Sequence, residues 1–163
     1  MSASAYLDTV LVSALVRRDI DGIELDALTE TLSRFDAGQL SLVCSQAVED
    51  ELARIPEDYR REHMQQLRAF ERIPRVGSGG YSRLTTAGIS GANPRRVTWE
   101  RPKSLLPDES DAEHVFLAWV NRVKCVVTCD KKTMLKHKLK VRAICGVDLM
   151  LPSEFLYASS QGS

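Results

Sequence analysis

The chain has 163 residues, 44% apolar and 27% charged, with 22 basic and 22 acidic side chains for a formal net charge of zero. That length suits one domain with a real core, on a prior of roughly 100–200 residues per domain, and the composition is too apolar and too evenly charged for a disordered chain. No apolar run approaches the roughly 18–20 residues of a membrane helix, and the opening stretch reaches Asp8 without the basic n-region of a secretory signal, so a cytoplasmic protein is expected.

In chain order, apolar Ala5-Tyr6-Leu7 stops at Asp8 and predicts a short buried strand. Val10 to Arg18 predicts a helix, with Leu11, Ala14 and Leu15 at helical spacing. Leu25, Leu28, Leu32 and Phe35 carry a 3.6-residue period that Asp36-Ala37-Gly38 ends. Leu40 to Cys44 is a second strand, and Ser45 stands where a helix N-cap belongs, before Val48 and Leu52 on one face. Tyr59, Met64, Leu67 and Phe70 predict a further helix.

From 74 to 107 the composition shifts. Five of the nine glycines and four of the six prolines fall here, so a long loop is expected, with Arg75, Arg83, Arg95, Arg96, Arg101 and Lys103 facing one acid, Glu100. Order resumes at Ser110, which with Glu113 fits a capping box and puts Asp111 in the first helical turn. Ala112, Val115, Phe116, Trp119, Val120 and Val123 then define the best amphipathic helix of the chain. Cys125 to Cys129 is an apolar run ending at Asp130, Thr133 to Val141 a basic helix, and Val147 to Leu151 a last strand before Pro152. One domain over 1–157 and a disordered tail over 158–163 are expected.

Apolar strands alternating with helices predict an α/β domain with a mostly parallel sheet. Ligands of such sheets bind beyond the carboxyl ends of the strands, where Asp8 and Asp130 sit. Like-charged carboxylates at about 5 Å repel by roughly 3 kcal/mol at an effective dielectric near 20, a cost that a hard divalent cation removes. The competing role for each acid is structural, because aspartate caps helices and turns chains. Cys44, Cys125, Cys129 and Cys145 show no Cys-x-x-Cys spacing, and His63, His114 and His137 are scattered, so buried free thiols are expected rather than zinc or disulfides. Acids dominate residues 1–60 and bases 72–142, a polarity that suits a polyanion held on one face or simply a solvated surface.

Four blocks in order resemble the PIN-domain ribonucleases. Tyr6-Leu7-Asp8-Thr9-Val10 resembles their opening strand and Asp-Thr-Asn, and Leu42-Val43-Cys44-Ser45 with Glu51-Leu52 resembles their second block. Asp111-Ala112-Glu113-His114 and Val126-Val127-Thr128-Cys129-Asp130 resemble the third and fourth, and Val147 to Leu156 is similar to the closing strand and Pro-x-x-Phe turn.

The resemblance implies a three-layer α/β/α fold and Asp8, Glu51, Asp111 and Asp130 as catalytic acids that hold Mg²⁺ or Mn²⁺, with Thr9 and Thr128 orienting them. Glu49 and Asp50 compete with Glu51, and Asp108 competes with Asp111. It also implies metal-dependent hydrolysis of RNA phosphodiester bonds, as in the VapC-type toxins of toxin–antitoxin pairs, with a small antitoxin protein as partner and a homodimer as the assembly. Lys131, Lys132 and Lys136, joined by Arg95 and Arg96, are the expected RNA-binding residues. His114, one turn after Asp111, is expected to pack or support the site rather than act as a base.

One residue departs from the pattern: Val10 stands where the family carries asparagine. A PIN-like module that binds RNA or protein without cleaving is therefore the rival reading. A receiver domain would need adjacent acids after the first strand, and a haloacid-dehalogenase-type phosphatase an aspartate at position 10; both are disfavoured.

Overall fold

The computed structural model describes residues 2–78 and 97–162. Four strands, β1 (Ala3–Leu7), β2 (Leu40–Val43), β3 (Cys125–Val127) and β4 (Asp148–Met150), form an all-parallel sheet in the order β2-β1-β3-β4. Leu7 lies opposite Val127, and Asp8 N–H continues the ladder to the Val127 carbonyl at 3.0 Å. All of β3 and the last three residues of β1 are buried, which is why they read as continuous apolar runs.

Side-chain alternation along these strands separates two helical layers. Ala5, Leu7, Cys125 and Val127 join the core shared by helices α1 (Val10–Arg17), α2 (Gly22–Asp36), α3 (Ala47–Ala53), α5 (Met64–Arg72) and α9 (Pro152–Gln161). Tyr6, Val126 and Leu149 join the opposite core, with Phe116 from α7 (Glu109–Val120), Val141 from α8 (Lys138–Cys145) and Trp99 and Leu106 flanking α6 (Glu100–Leu105). The result is the expected helix–sheet–helix sandwich.

Several boundaries differ from those predicted. The helix read through Tyr59 and Phe70 is two, α4 (Glu57–Glu62) and α5, because buried His63 leaves helical geometry at φ −116° and ψ 23°. Tyr59 and Met64 are consequently exposed, while Leu67 and Phe70 enter the core. The loop expected over 74–107 contains α6, and its first residues are tied to the sheet edge. There Cys44 N–H donates to Pro74 O at 3.0 Å, and Val76 N–H to Cys44 O at 2.8 Å. Residues 79–96, with Arg83, Arg95 and Arg96, lie outside the described residues.

The basic helix expected from Thr133 starts later, as a 3-10 turn at Leu135–His137 that leads into α8. The tail expected from 158 is instead helical to Gln161. Buried Glu24 of α2 fixes the start of α9 by accepting from Ser153 N (2.9 Å) and Oγ (2.6 Å), and Arg34 Nη1 holds its last turn through Ser160 Oγ at 3.1 Å. No helix among the described residues is long and apolar enough to cross a membrane.

Candidate active site

The chain runs from β1 through α1 and α2 to β2 on one side of β1, then crosses to β3 on the other. The connections that leave the carboxyl ends of neighbouring β1 and β3 therefore run toward opposite edges of the sheet, the place where open parallel sheets bind ligands. Asp8 and Asp130 follow these two strands.

Asp8 is 4% exposed and held from several sides. Its Oδ2 accepts from Thr128 Oγ1 at 2.7 Å, and its Oδ1 accepts from Val10 N–H and lies against His114 Nε2, both at 3.2 Å. His114 Nδ1 is 2.8 Å from Tyr6 Oη. One arrangement satisfies every partner: Tyr6 donates to Nδ1, and Nε2–H donates to Asp8. Burial first of all pushes the Tyr6 hydroxyl well above its usual range, against a hydrogen bond with Ser45 and with the Asp8 charge adding to the rise, so it stays a donor. Thr9 Oγ1 lies 3.5 Å from His114 Nε2, at the margin of this network.

Thr128 joins the two strand ends, donating to Asp8 and accepting from Asp130 N–H at 3.1 Å. Asp130 folds its own loop. Its Oδ1 accepts from the backbone N–H of Lys132 (3.0 Å) and Thr133 (2.8 Å), and its Oδ2 from Thr133 Oγ1 at 2.6 Å. Partial burial pushes this carboxyl upward, but the Thr133 hydroxyl and the surrounding backbone N–H groups outweigh it and hold Asp130 below the usual range.

Asp111 shows the opposite balance. Its Oδ2 is 2.5 Å from the same Thr133 hydroxyl, whose one proton cannot serve both carboxylates at once. Burial raises the Asp111 carboxyl first of all; the Thr133 bond opposes this, and the charges of Asp8, Asp108 and Asp130 add to the rise.

The predicted cap of this helix is corrected. Asp108, not Ser110, is the N-cap of α7, accepting from Ser110 N–H at 2.8 Å and Asp111 N–H at 3.3 Å. The side chain of Asp111 is thereby free of the capping role that competed with a chemical one. Thr133 was not singled out in the sequence, although an aspartate followed three residues later by a hydroxyl residue is a turn signature that could have marked it.

Glu51 stands apart from this group. Of the three acids in α3 it is the one bonded to α1, its carboxylate accepting from Ser13 Oγ at 3.0 Å and from Arg54 Nη1 at 3.1 Å. No hydrogen bond or ion pair among the described residues links it to Asp8, Asp111 or Asp130. Glu49 pairs with Arg75 at 2.6 Å, and Asp50 is exposed. Of the expected quartet, Thr133 joins Asp111 to Asp130 and Thr128 links Asp8 to the Asp130 backbone, while Glu51 is engaged by α1.

No three His, Cys, Asp or Glu side chains among the described residues stand together as a group able to hold an ion. Magnesium commonly takes only one or two protein carboxylates and completes its shell with water and substrate phosphate. The oxygen donors of Asp111 and Asp130, already converging on one hydroxyl, fit that modest requirement.

Lys131, Lys132 and Lys136 are exposed beyond Asp130. Burial pushes the thiols of Cys44 and Cys145 up to about 11 and those of Cys125 and Cys129 up to about 12, so they are weak nucleophiles, and all four are free. No protein-family model matches the chain, and no curated protein or solved structure matches it significantly.

Proposed function

We propose that this chain is a Mg²⁺- or Mn²⁺-dependent endoribonuclease of PIN-like design, acting as the toxin of a toxin–antitoxin pair. The observation that carries the reading is the approach of Asp111 and Asp130 to one Thr133 hydroxyl, at 2.5 and 2.6 Å, in the crevice beside buried Asp8. Two carboxylates in that position are worth their mutual repulsion when a cation sits with them.

Asp111 and Asp130 would hold the ion, and the chemistry it supplies is charge neutralisation at the scissile phosphate and a water acidic enough to attack at neutral pH. Asp8, fixed by Thr128 and His114, adds negative potential that favours the cation. Lys131 and Lys132 lie at the start of the following loop, where they would meet the ribose–phosphate backbone. No side-chain nucleophile is needed, in keeping with the buried, high-pKa thiols.

The rival reading, a PIN-like module that binds without cleaving, draws on Val10 and on the engagement of Glu51 by Ser13 and Arg54. Incubating the protein with RNA in EDTA, Mg²⁺ or Mn²⁺ separates the two. Cleavage that is lost in EDTA, restored by either metal and absent in Asp130→Asn is expected. Cleavage undiminished by EDTA would reject the metal mechanism, and none under manganese would favour the binding module.

A further inference from the structure

Lys103 belongs to the Gly/Pro-rich stretch of the sequence, and Lys136 and Lys140 to the basic segment more than thirty positions later. The fold brings all three into the lining of one open concavity of about 680 Å³, together with Leu105, Leu106 and Pro107. All three lysines are exposed, and none has an ion-pair partner among the described residues. Of the described residues that line the concavity, one, Glu109, is acidic. His137 also lines it, and its Nε2 is closed off from solvent with no hydrogen-bond partner among the described residues. Three ammonium groups gathered at one concavity beside a single acid set a positive local potential, which a ligand rich in anionic oxygen matches.

The elements that build this concavity also carry the carboxylates. Glu109 opens the helix whose first turn holds Asp111, and Lys136 follows Thr133 and Asp130 on one short segment. We infer that the concavity is a phosphodiester-binding subsite, which seats a backbone phosphate of single-stranded RNA to one side of the scissile bond. The inference rests on the nuclease reading for the identity of the polyanion. Ammonium groups act on phosphate as movable point charges, and no arginine lines the concavity among the described residues. The carboxylates on the same two elements, read as the cleavage site, favour a phosphodiester over an acidic peptide.

The test uses the full chain in EDTA with a short fluorescent single-stranded RNA methylated at its 2′-oxygens, so that binding is read without cleavage. Affinity is followed from about 50 to 200 mM salt for wild type and Lys103→Ala/Lys140→Ala, with far-UV circular dichroism to confirm the fold. Each phosphate contact contributes about 0.7 to the slope of log affinity against log salt for a single strand. The double variant, which loses that one phosphate contact, is therefore expected to bind more weakly, with a slope shallower by about 0.7.

An unchanged slope in a folded variant would overturn the subsite. So would poly-glutamate of matching charge that binds wild type as tightly and loses affinity in the same variant, since the concavity would then be a site for acidic protein. A protein that cleaves no RNA yet shows the shallower slope keeps the subsite and loses the nuclease reading. One that cleaves with an unchanged slope does the reverse.

Discussion

Asp111→Asn is the most informative perturbation, because it removes a charge while leaving an amide oxygen to accept from Thr133. The Asp111 carboxyl is raised by burial and by the charges of Asp8, Asp108 and Asp130, so its ionised form opposes folding. A raised folded value means that the group's favourable contribution is complete below the unfolded carboxylate range near pH 4 and is lost as pH rises through the folded value. At neutral pH the substitution should therefore stabilise the metal-free protein. Two carboxylates about 5 Å apart repel by roughly 3 kcal/mol at an effective dielectric near 20. Asp111 is only half-buried, and solvent screening leaves about 1 kcal/mol. For a domain of this length that is a rise of about 2–4 °C in Tm, absent below about pH 4.

Manganese should act in the other direction between the two proteins. A divalent ion at about 100 times its dissociation constant stabilises wild type by roughly 2.7 kcal/mol, or about 5–11 °C. Loss of one of the two carboxylates should remove most of that shift. Thermal melts of wild type and Asp111→Asn, each in EDTA and in Mn²⁺ at pH 7, measure both effects. An apo variant that melts below wild type and keeps its full manganese shift would refute the reasoning and leave Asp111 as no more than an acceptor for Thr133. Asp108→Ala provides the contrast, since loss of the true N-cap should lower Tm in both conditions by about 0.5–2 kcal/mol of stability.

Three further outcomes are expected. Asp8→Asn and Asp130→Asn should abolish RNA cleavage while leaving binding in EDTA within a few-fold of wild type, as measured by gel assay and fluorescence anisotropy. Thr128→Val, which unties Asp8 from Asp130, should lower the cleavage rate by about 10–100-fold, the usual effect of removing a group that orients metal-binding side chains. Asp130 is held below the usual carboxylate range, so it contributes stability above about pH 4 that is lost as pH falls through its folded value. Acid-unfolding curves should accordingly show a smaller loss for Asp130→Asn than for wild type.

The sheet was legible in the sequence because its central strands are buried on both faces, and such strands must be apolar throughout. Asp8 and Asp130 were legible for the same reason, as the first charges after those runs. What local pattern could not show was partnership. Ser110 and Asp108 both precede an amphipathic helix, and only the backbone path shows that Asp108 accepts the two amide hydrogens. Glu51 matched the second block of the resemblance, yet its destination depended on Ser13 of another helix. The tail after 157 carries few apolar residues, and its helix is held by polar contacts to Glu24 and Arg34 more than a hundred positions away. Lys103 likewise belongs to a concavity whose other lysines are remote in sequence.

Counting the lone pairs of the three carboxylates shows why Asp111 dominates these expectations. An ionised carboxylate offers about four acceptor sites. Asp8 spends three, on Val10 N–H, His114 and the Thr128 hydroxyl, and it is almost fully buried. Asp130 spends two on the backbone of its own loop and competes for the Thr133 proton with a third. Among the described residues, Asp111 spends at most one, through that same proton. The backbone N–H of Val10 still reaches Asp8, and His114 supplies a side-chain partner, so the missing asparagine amide does not leave Asp8 unsupported. Asp8 is thus the most fully engaged of the three, Asp130 is occupied in shaping its own loop, and Asp111 keeps the most acceptor capacity among the described residues. A cation drawn by the first two would find its readiest ligand in the third.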